Sequence, residues 1–530
     1  MSPAMVFRIS VTLLVLLVLG AVVAPEAFGT LSAQVQAATL ARAGWLYLVI
    51  VFGVLAFLVY LAIGRLGSLR IGGDDAQPEF SRRSWFAMLF SAGMGIGLVF
   101  WGAAEPLSHF QSPPEGLEGG TTQAASAAMR YAFFHWGLHP WAIYALVGLG
   151  MAWFQFNRGS RGLVSDLLAP LIGRHAQGAA GTAIDVLAVV ATAVGVATTL
   201  GFGAAQIAAG LQRVAGAPDG VATQLVVIAV AFVLYMASSA TGLERGIKWL
   251  SNLNMAAAAL LLALVLVLGP TAFLFETLTT TLGSYLNLLP SMSLRMTPFS
   301  QRSWVGDWTI FYWAWWMAWA PFVGAFFARI SYGRTVREFV LGVVAGPALV
   351  SFIWFAVFGG ATLHAQMFGG ADLLGELARG YQHVLFALFD TMPWSTVLAW
   401  VAIVLLMSFF VTSADSATLV LASMSSEAAG DPPLLRKMVW GVLQAAIAVA
   451  LLLAGGLDAL QSMVIVAALP FALLLAAAVV SLHRVLAEAR AAHDREDREL
   501  HRAEKRWLER ERGQPMARAS GADVRPDRAD

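Results

Sequence analysis

The chain has 530 residues, of which 58% are hydrophobic and only 12% charged, with a net charge of +1 and no cysteine. A charged fraction about half the soluble norm identifies an integral membrane protein, and a near-neutral balance gives no reason to expect nucleic acid or an acidic partner. The missing cysteines exclude disulfides, thiolate metal sites and cysteine nucleophiles together.

A hydrocarbon core of about 30 Å needs about 20 apolar residues per helix. Twelve stretches meet that length, centred near Leu17, Leu55, Met94, Trp141, Val196, Val230, Leu261, Ala318, Leu349, Leu406, Ile447 and Leu473, so the expected fold is all-α with twelve transmembrane helices. The first run, Ile9 to Val23, is followed by Pro25-Glu-Ala-Phe, a poor signal-peptidase site, and reads as a retained span. Segment 277–307 is expected as an external amphipathic connection. Ala371 to Asp390 has apolar residues at helical spacing among polar ones and reads as an amphipathic surface helix.

Lys and Arg divide unequally between the two sides. With the N-terminus inside, one side collects Arg65, Arg70, Arg82, Arg83, Arg158, Arg161, Arg329, Arg334 and Arg436 among others, and the opposite side only Arg42, Arg130, Arg213, Arg295, Arg302 and Arg379. The positive-inside rule then puts both termini in the cytoplasm, as expected for a multi-pass protein of a bacterial-type inner (plasma) membrane. The tail 483–530 differs in kind: acids and bases alternate in "AAHDREDRELHRAEKRWLERER", the pattern of a solvated helix carrying i,i+4 ion pairs.

Two spans contain helix breakers at matching positions. The third carries Gly93, Gly95 and Gly97 around Met94, and glycine costs a helix about 1 kcal/mol against alanine. Close packing through small residues is one explanation; unwinding that turns backbone carbonyls toward an ion is the other. Five spans later the eighth carries Ala320-Pro321-Phe-Val-Gly324. Spans three to seven (84–276) and eight to twelve (308–482) thus read as two five-helix repeats. An odd number of helices inverts the second copy, the arrangement in which transporters build midplane sites. Residues 1–70 supply two helices outside that core.

The eighth span also contains "WTIFYWAWWMAWAPF", residues 308–322. Tryptophan favours the membrane interface, which suits Trp308, but Trp315, Trp316 and Trp319 lie too deep for that role. They share one helical stripe with Tyr312, while Trp313 points elsewhere. The fourth span adds Trp136, Trp141 and Tyr144 near its middle, with Pro140 available to reorient the turn between the two indoles. A cage of such rings holds a quaternary ammonium ion through cation–π attraction. His135 and His139 have a metal-compatible i,i+4 spacing, but nine histidines spread over the chain favour polar packing between helices. No phosphate loop, serine triad or paired carboxylate stands out, so the chain does not read as an enzyme.

"GMGIGLVFWGAAEPLSH" (Gly93 to His109), "FYWAWWMAWAPFVGAFFARISYGRTVREF" (Phe311 to Phe339) and "FFVTSADSATLVL" (Phe409 to Leu421) closely resemble the betaine/carnitine/choline transporter family. The resemblance implies a leucine-transporter-like core of two inverted five-helix repeats, usually assembled as a homotrimer. It implies an aromatic box at Trp136, Trp141, Tyr144 and Trp316, with Trp315 and Trp319 lining the path and the backbone at Gly93, Met94, Gly95 and Gly97 facing the substrate. It further implies a sodium site on backbone at Ser91 and Met94, on Phe409, and on the hydroxyls of Thr412 and Ser413. A second sodium site in the family uses two threonines one turn apart, where this chain has Thr192 but then Val196. The family's osmosensing C-terminal extension is strongly basic, whereas this one is nearly charge-balanced.

The expected function is sodium-coupled import of glycine betaine or a related onium solute, with no cofactor beyond the coupling ion. Proton-driven choline uptake and sodium-independent carnitine-type exchange are alternatives within the class. Choline-type members tend to carry an acid where this chain has Gly97. A non-transporting sensor or channel is the alternative from another class.

Overall fold

The computed structural model describes residues 3–93, 95–241, 244–300, 303–426 and 432–513. Two compact units are present, Met1–Leu482 and His483–Asp530. The described residues of the first are helices joined by short turns: α1 (Pro3–Val23), α2 (Pro25–Ile63), α3 (Arg82–Gly93), α4 (Ile96–Gln111), α5 (Thr122–Trp136), α6 (Leu138–Arg158), two single turns α7 (Val164–Leu167) and α8 (Ala169–Ile172), α9 (Ala179–Ala215), α10 (Val221–Thr241), α11 (Glu244–Leu268), α12 (Thr271–Ser293), α13 (Phe311–Ile330), α14 (Val336–Met367), α15 (Leu373–Arg379), α16 (Tyr381–Asp390), α17 (Ser395–Met424) and the start of α18 (Leu434–Gly513).

Polarity is arranged inside out relative to a water-soluble protein. Leu16, Val226, Val233, Leu349 and Val404 are each more than half exposed, while Glu105, His109, His135, Gln206 and Gln444 are wholly buried. An outer apolar face of that kind suits lipid, where helices satisfy their own backbone groups. Nine helices among the described residues are long and apolar enough to cross a membrane. The third and fourth sequence-predicted spans fall outside that set because each is interrupted: α3 gives way to α4, and α5 to α6. The last two fall within α18, whose backbone leaves helical geometry at Gly455 (φ 173°) and Gly456 (φ 64°).

The break in the third span is where the glycines place it, with Gly95 extended (φ −167°, ψ −178°) between α3 and α4. The eighth span does not repeat it. α13 runs through Pro321 without interruption, and the irregular turn is instead a π-helix at Val305–Ile310, ahead of α13. Proline removes one backbone N–H and leaves one carbonyl free, which a packed helix tolerates. Gly324 has a packing role: a Cβ there would stand 2.8 Å from Val147 Cγ1 and 3.0 Å from the Gly148 nitrogen of α6. Close approach of α13 and α6 is therefore what this glycine permits.

In the fourth span the turn is made by Gly137 (φ −91°, ψ −131°), not by Pro140. Pro140 sits in the first turn of α6, where no intrahelical partner awaits its missing N–H. The amphipathic segment is two helices, α15 and α16, separated at Gly380 (φ 146°). Val384 to Phe389 are buried in the protein, so their apolar face covers neighbouring helices rather than a membrane surface. Near the arginine-rich side, Leu69 to Ile71 pair with Arg334 to Val336 through Ile71 N–H to Arg334 O (2.9 Å) and Val336 N–H to Leu69 O (2.8 Å), tying the end of α2 to the α13–α14 turn.

Within the second unit the helix continues to Gly513. Arg490 and Asp494 (2.7 Å) and His493 and Asp497 (3.1 Å) form i,i+4 pairs, as the charge alternation predicts.

Candidate functional site

The Gly137 turn separates Trp136, the last residue of α5, from Trp141 and Tyr144, which share a face of α6. α13 passes opposite with Trp315, Trp316 and Trp319. Trp136 meets Trp316 edge to face at 4.8 Å between ring centroids, Trp141 meets Tyr144 at 5.5 Å, and Tyr144 meets Trp316 at 6.1 Å. Trp315 lies parallel to Trp316 at 5.0 Å. All six rings line one cavity of about 1140 Å³, together with Gly95, Gly97, Phe409, Thr412 and Ser413. From the cage it extends past Met151, Gln155 and Phe326 to Arg161, Arg329 and Met424.

Each of the five indole N–H groups has a partner within the protein. Trp136 donates to Glu105 Oε2 (2.7 Å), Trp141 to the Trp136 carbonyl (3.3 Å) and Trp315 to Thr199 Oγ1 (3.1 Å). Trp316 donates to the His135 carbonyl (3.0 Å) and Trp319 to the Gly195 carbonyl (3.0 Å). An indole has a single donor, so each ring is anchored by the protein and offers the cavity its π-face. Such faces attract a methylated ammonium, which has no hydrogen to donate. Gly97 makes the approach possible, since a Cβ there would lie 2.9 Å from both Trp136 Cη2 and Trp315 Cη2.

Oxygen ligands border the same cavity. Thr412 Oγ1 donates back to the Ser408 carbonyl (2.9 Å) and accepts from Asn254 Nδ2 (3.2 Å). A hydroxyl has two lone pairs, so this back-bonding leaves Thr412 able to ligate a cation. Asn254, which sequence reasoning missed, also lines the cavity, and its buried Oδ1 has no partner among the described residues. Of the remaining expected residues, Ser91 and Gly93 belong to the last turn of α3, and Met94 falls outside the described residues. Thr192 is buried in α9 and does not line the cavity, and its hydroxyl has no partner among the described residues; Val196 one turn later is buried too.

Glu105 is the largest departure from the expected site. Its side chain is wholly buried one turn from His109, and its oxygens meet His135 Nδ1 (2.7 Å), His109 Nε2 (3.2 Å), Trp136 Nε1 (2.7 Å) and the Tyr312 hydroxyl (2.5 Å). Glu105, His109 and His135 have the spacing of a metal site, but these contacts already occupy both oxygens. His135 does serve as polar packing between helices, since its Nε2 also meets Thr309 Oγ1 at 3.0 Å. An acid inside an apolar span is the signal that could have found Glu105. Trp308 is partly exposed and packs 4.4 Å from His109 and 5.5 Å from Trp101.

Fold and site together define a multi-pass membrane protein built around a solute-sized, ring-walled cavity. The chain belongs to the betaine/carnitine/choline family of transporters, whose family profile matches residues 5–491. It is 45% identical over 503 residues to the glycine betaine transporter OpuD of Bacillus subtilis, covering 94% of this chain and 96% of that one. The ectoine/hydroxyectoine transporter of Virgibacillus pantothenticus is 42% identical, with 93% and 98% covered. A probable glycine betaine transporter of Desulfitobacterium hafniense is 42% identical, with 92% and 98% covered. Membership makes this protein a transporter and not an enzyme.

Proposed function

We propose that the protein imports glycine betaine or a related onium compatible solute by sodium symport. The observation that carries this reading is the cage, in which Trp136, Trp141, Tyr144 and Trp316 line one cavity with each indole N–H already bonded within the protein. Rings hold the methylated ammonium, and the unwound backbone at Gly95 gives the substrate carboxylate its N–H partners. The relatives that carry betaine and ectoine support a compatible solute as cargo. Thr412 and Ser413, with carbonyls of the α3–α4 break, supply hard oxygen for sodium, and Thr192 is the candidate for a second ion. The cavity reaches the side of Arg161 and Arg329, which the charge distribution assigns to the cytoplasm, so the conformation is inward-facing and transport proceeds by alternating access. Twelve spans, inverted repeats, cytoplasmic termini in a bacterial plasma membrane and a homotrimeric assembly complete the reading.

Uptake of labelled betaine into proteoliposomes, with and without an inward sodium gradient, tests it. Accumulation only with the gradient is expected. Proton-driven accumulation of choline or gradient-independent exchange would replace sodium symport, and no uptake of any onium solute would overturn the reading.

A further inference from the structure

Glu105 lines no part of the cavity, yet three of the four cage rings are referenced to it. Trp136 is the last residue of α5 before the Gly137 turn, so regular helix does not continue past it to set its orientation. Its one donor ends on Glu105 Oε2 at 2.7 Å, and the Tyr312 hydroxyl ends on the same oxygen at 2.5 Å. Tyr312 in turn lies parallel to Trp316 (6.0 Å, 20°) and to His135 (4.7 Å, 26°). The His135 ring shares a 2.7 Å hydrogen bond with Glu105 Oε1 through Nδ1, and the His135 carbonyl receives the Trp316 N–H. Trp141 follows Trp136 through the Trp136 carbonyl.

The carboxylate also stands on the far side of the cage from the cavity's open end. Along α13, Tyr312 precedes Trp316 by one turn while Arg329 follows it by more than three. Along α4, Glu105 lies two turns beyond Gly97, the residue that touches the cage. Among the described residues no arginine or lysine pairs with Glu105; its partners are two imidazoles, one indole and one phenol. Four hydrogen bonds converging on one buried carboxyl group fix its orientation and that of the groups bonded to it, because breaking any of them would leave a buried polar atom without a partner.

We propose that Glu105 is a positioning residue for the aromatic cage: from behind it, the carboxylate fixes the Trp136 indole and, through Tyr312 and His135, the Trp316 indole, so that the rings are ordered before the cation arrives. The inference rests on the cage being the onium site. Pre-ordering matters because ring faces that must be oriented at binding lose affinity to that ordering.

The test uses the full-length protein labelled with 5-fluorotryptophan, with variants Glu105→Leu, Glu105→Gln and Trp136→Phe. The fluorine resonance of Trp136, assigned by its loss in Trp136→Phe, should move or broaden in Glu105→Leu without any substrate present and return toward its native position in Glu105→Gln, which keeps an accepting oxygen. Glu105→Leu should raise the KM for betaine about tenfold with maximal rate little changed, and in the Trp136→Phe background the same change should cost clearly less, because the direct route through the Trp136 donor is gone while the route through Tyr312 and His135 remains. An unmoved Trp136 resonance, or an equal KM effect in both backgrounds, overturns the proposal. If the native protein binds no onium solute while the Trp136 resonance still depends on Glu105, the functional reading fails and the positioning role stands.

Discussion

Gly97 and Trp136 cannot both be large: the ring tip of Trp136 occupies the place where a Gly97 side chain would begin, 2.9 Å from its Cβ position, with Trp315 equally near on the other flank. A backbone segment of α4 is thereby pressed against two cage rings. Contacts under 3 Å require one partner to move, and both indoles are anchored at their N–H groups.

Gly97→Ala should therefore weaken betaine transport by displacing Trp136 or Trp315, with an expected rise in KM of about tenfold for a one-methyl overpacking. Gly97→Asp adds a carboxylate beside the substrate's own, repelling betaine and pairing with choline, whose hydroxyl stands there instead. Competition assays on the Asp variant should show choline gaining on betaine; an unchanged ratio would mean that Gly97 does not face the ligand.

Trp316 touches Trp136, Tyr144 and Trp315, and so lies at the centre of the ring wall. Trp316→Leu should fold and yet bind betaine about 1–2 kcal/mol more weakly, the worth of a desolvated cation–π contact. Equilibrium binding to purified protein measures this directly. Native affinity in a well-expressed variant would remove Trp316 from the site.

For the ion, Thr412→Ala combined with Ser413→Ala should raise the sodium concentration for half-maximal uptake at least tenfold. The Thr412 hydroxyl also bonds back to the Ser408 carbonyl (2.9 Å), a contact that only tunes its helix. Unaltered sodium activation in the double variant would assign both hydroxyls to that structural role. A Hill coefficient near one would fit a single ion, whereas a value near two that Thr192→Ala abolishes would establish Thr192 as the second site's ligand.

Gly148 and Gly324 face each other closely between α6 and α13, the two helices that carry most of the cage: a Cβ on Gly324 would stand 3.0 Å from the Gly148 nitrogen, and one on Gly148 3.3 Å from the Gly324 carbonyl oxygen. Gly324→Leu should separate them, lowering thermal stability in detergent by several degrees and betaine affinity with it. Stability loss without any change in affinity would show that the cage tolerates a wider helix spacing.

Much of this site is legible in the amino-acid sequence. Deep indoles in two separate spans are costly to explain as interface anchors, and all six expected rings do line one cavity. The third-span break is legible as well, because three glycines in alternate positions weaken a helix wherever it packs. Pro321 carries a similar local signal and misleads, since the packing of α13 on α6 keeps the helix intact through it. Gly137 gives the opposite error: the sequence points to Pro140 as the residue that reorients the chain, yet the turn falls at Gly137, and Pro140 sits inside the first turn of α6, where its missing N–H has no intrahelical bond to lose.

Short windows of chain encode the coarse properties of this protein. Membrane residence follows from apolar length, helical class from periodicity, and ring chemistry from residue identity, each being a sum over neighbouring residues. Which distant residues meet is decided by tertiary packing alone. Glu105 and Tyr312 are 207 positions apart and share a 2.5 Å hydrogen bond, and Trp308 meets His109, 199 positions away, at 4.4 Å between ring centroids. A hydrogen bond depends on two atoms being placed within a few tenths of an ångström, and that placement is set by the packing of α4, α5 and α13 together, which no single segment contains.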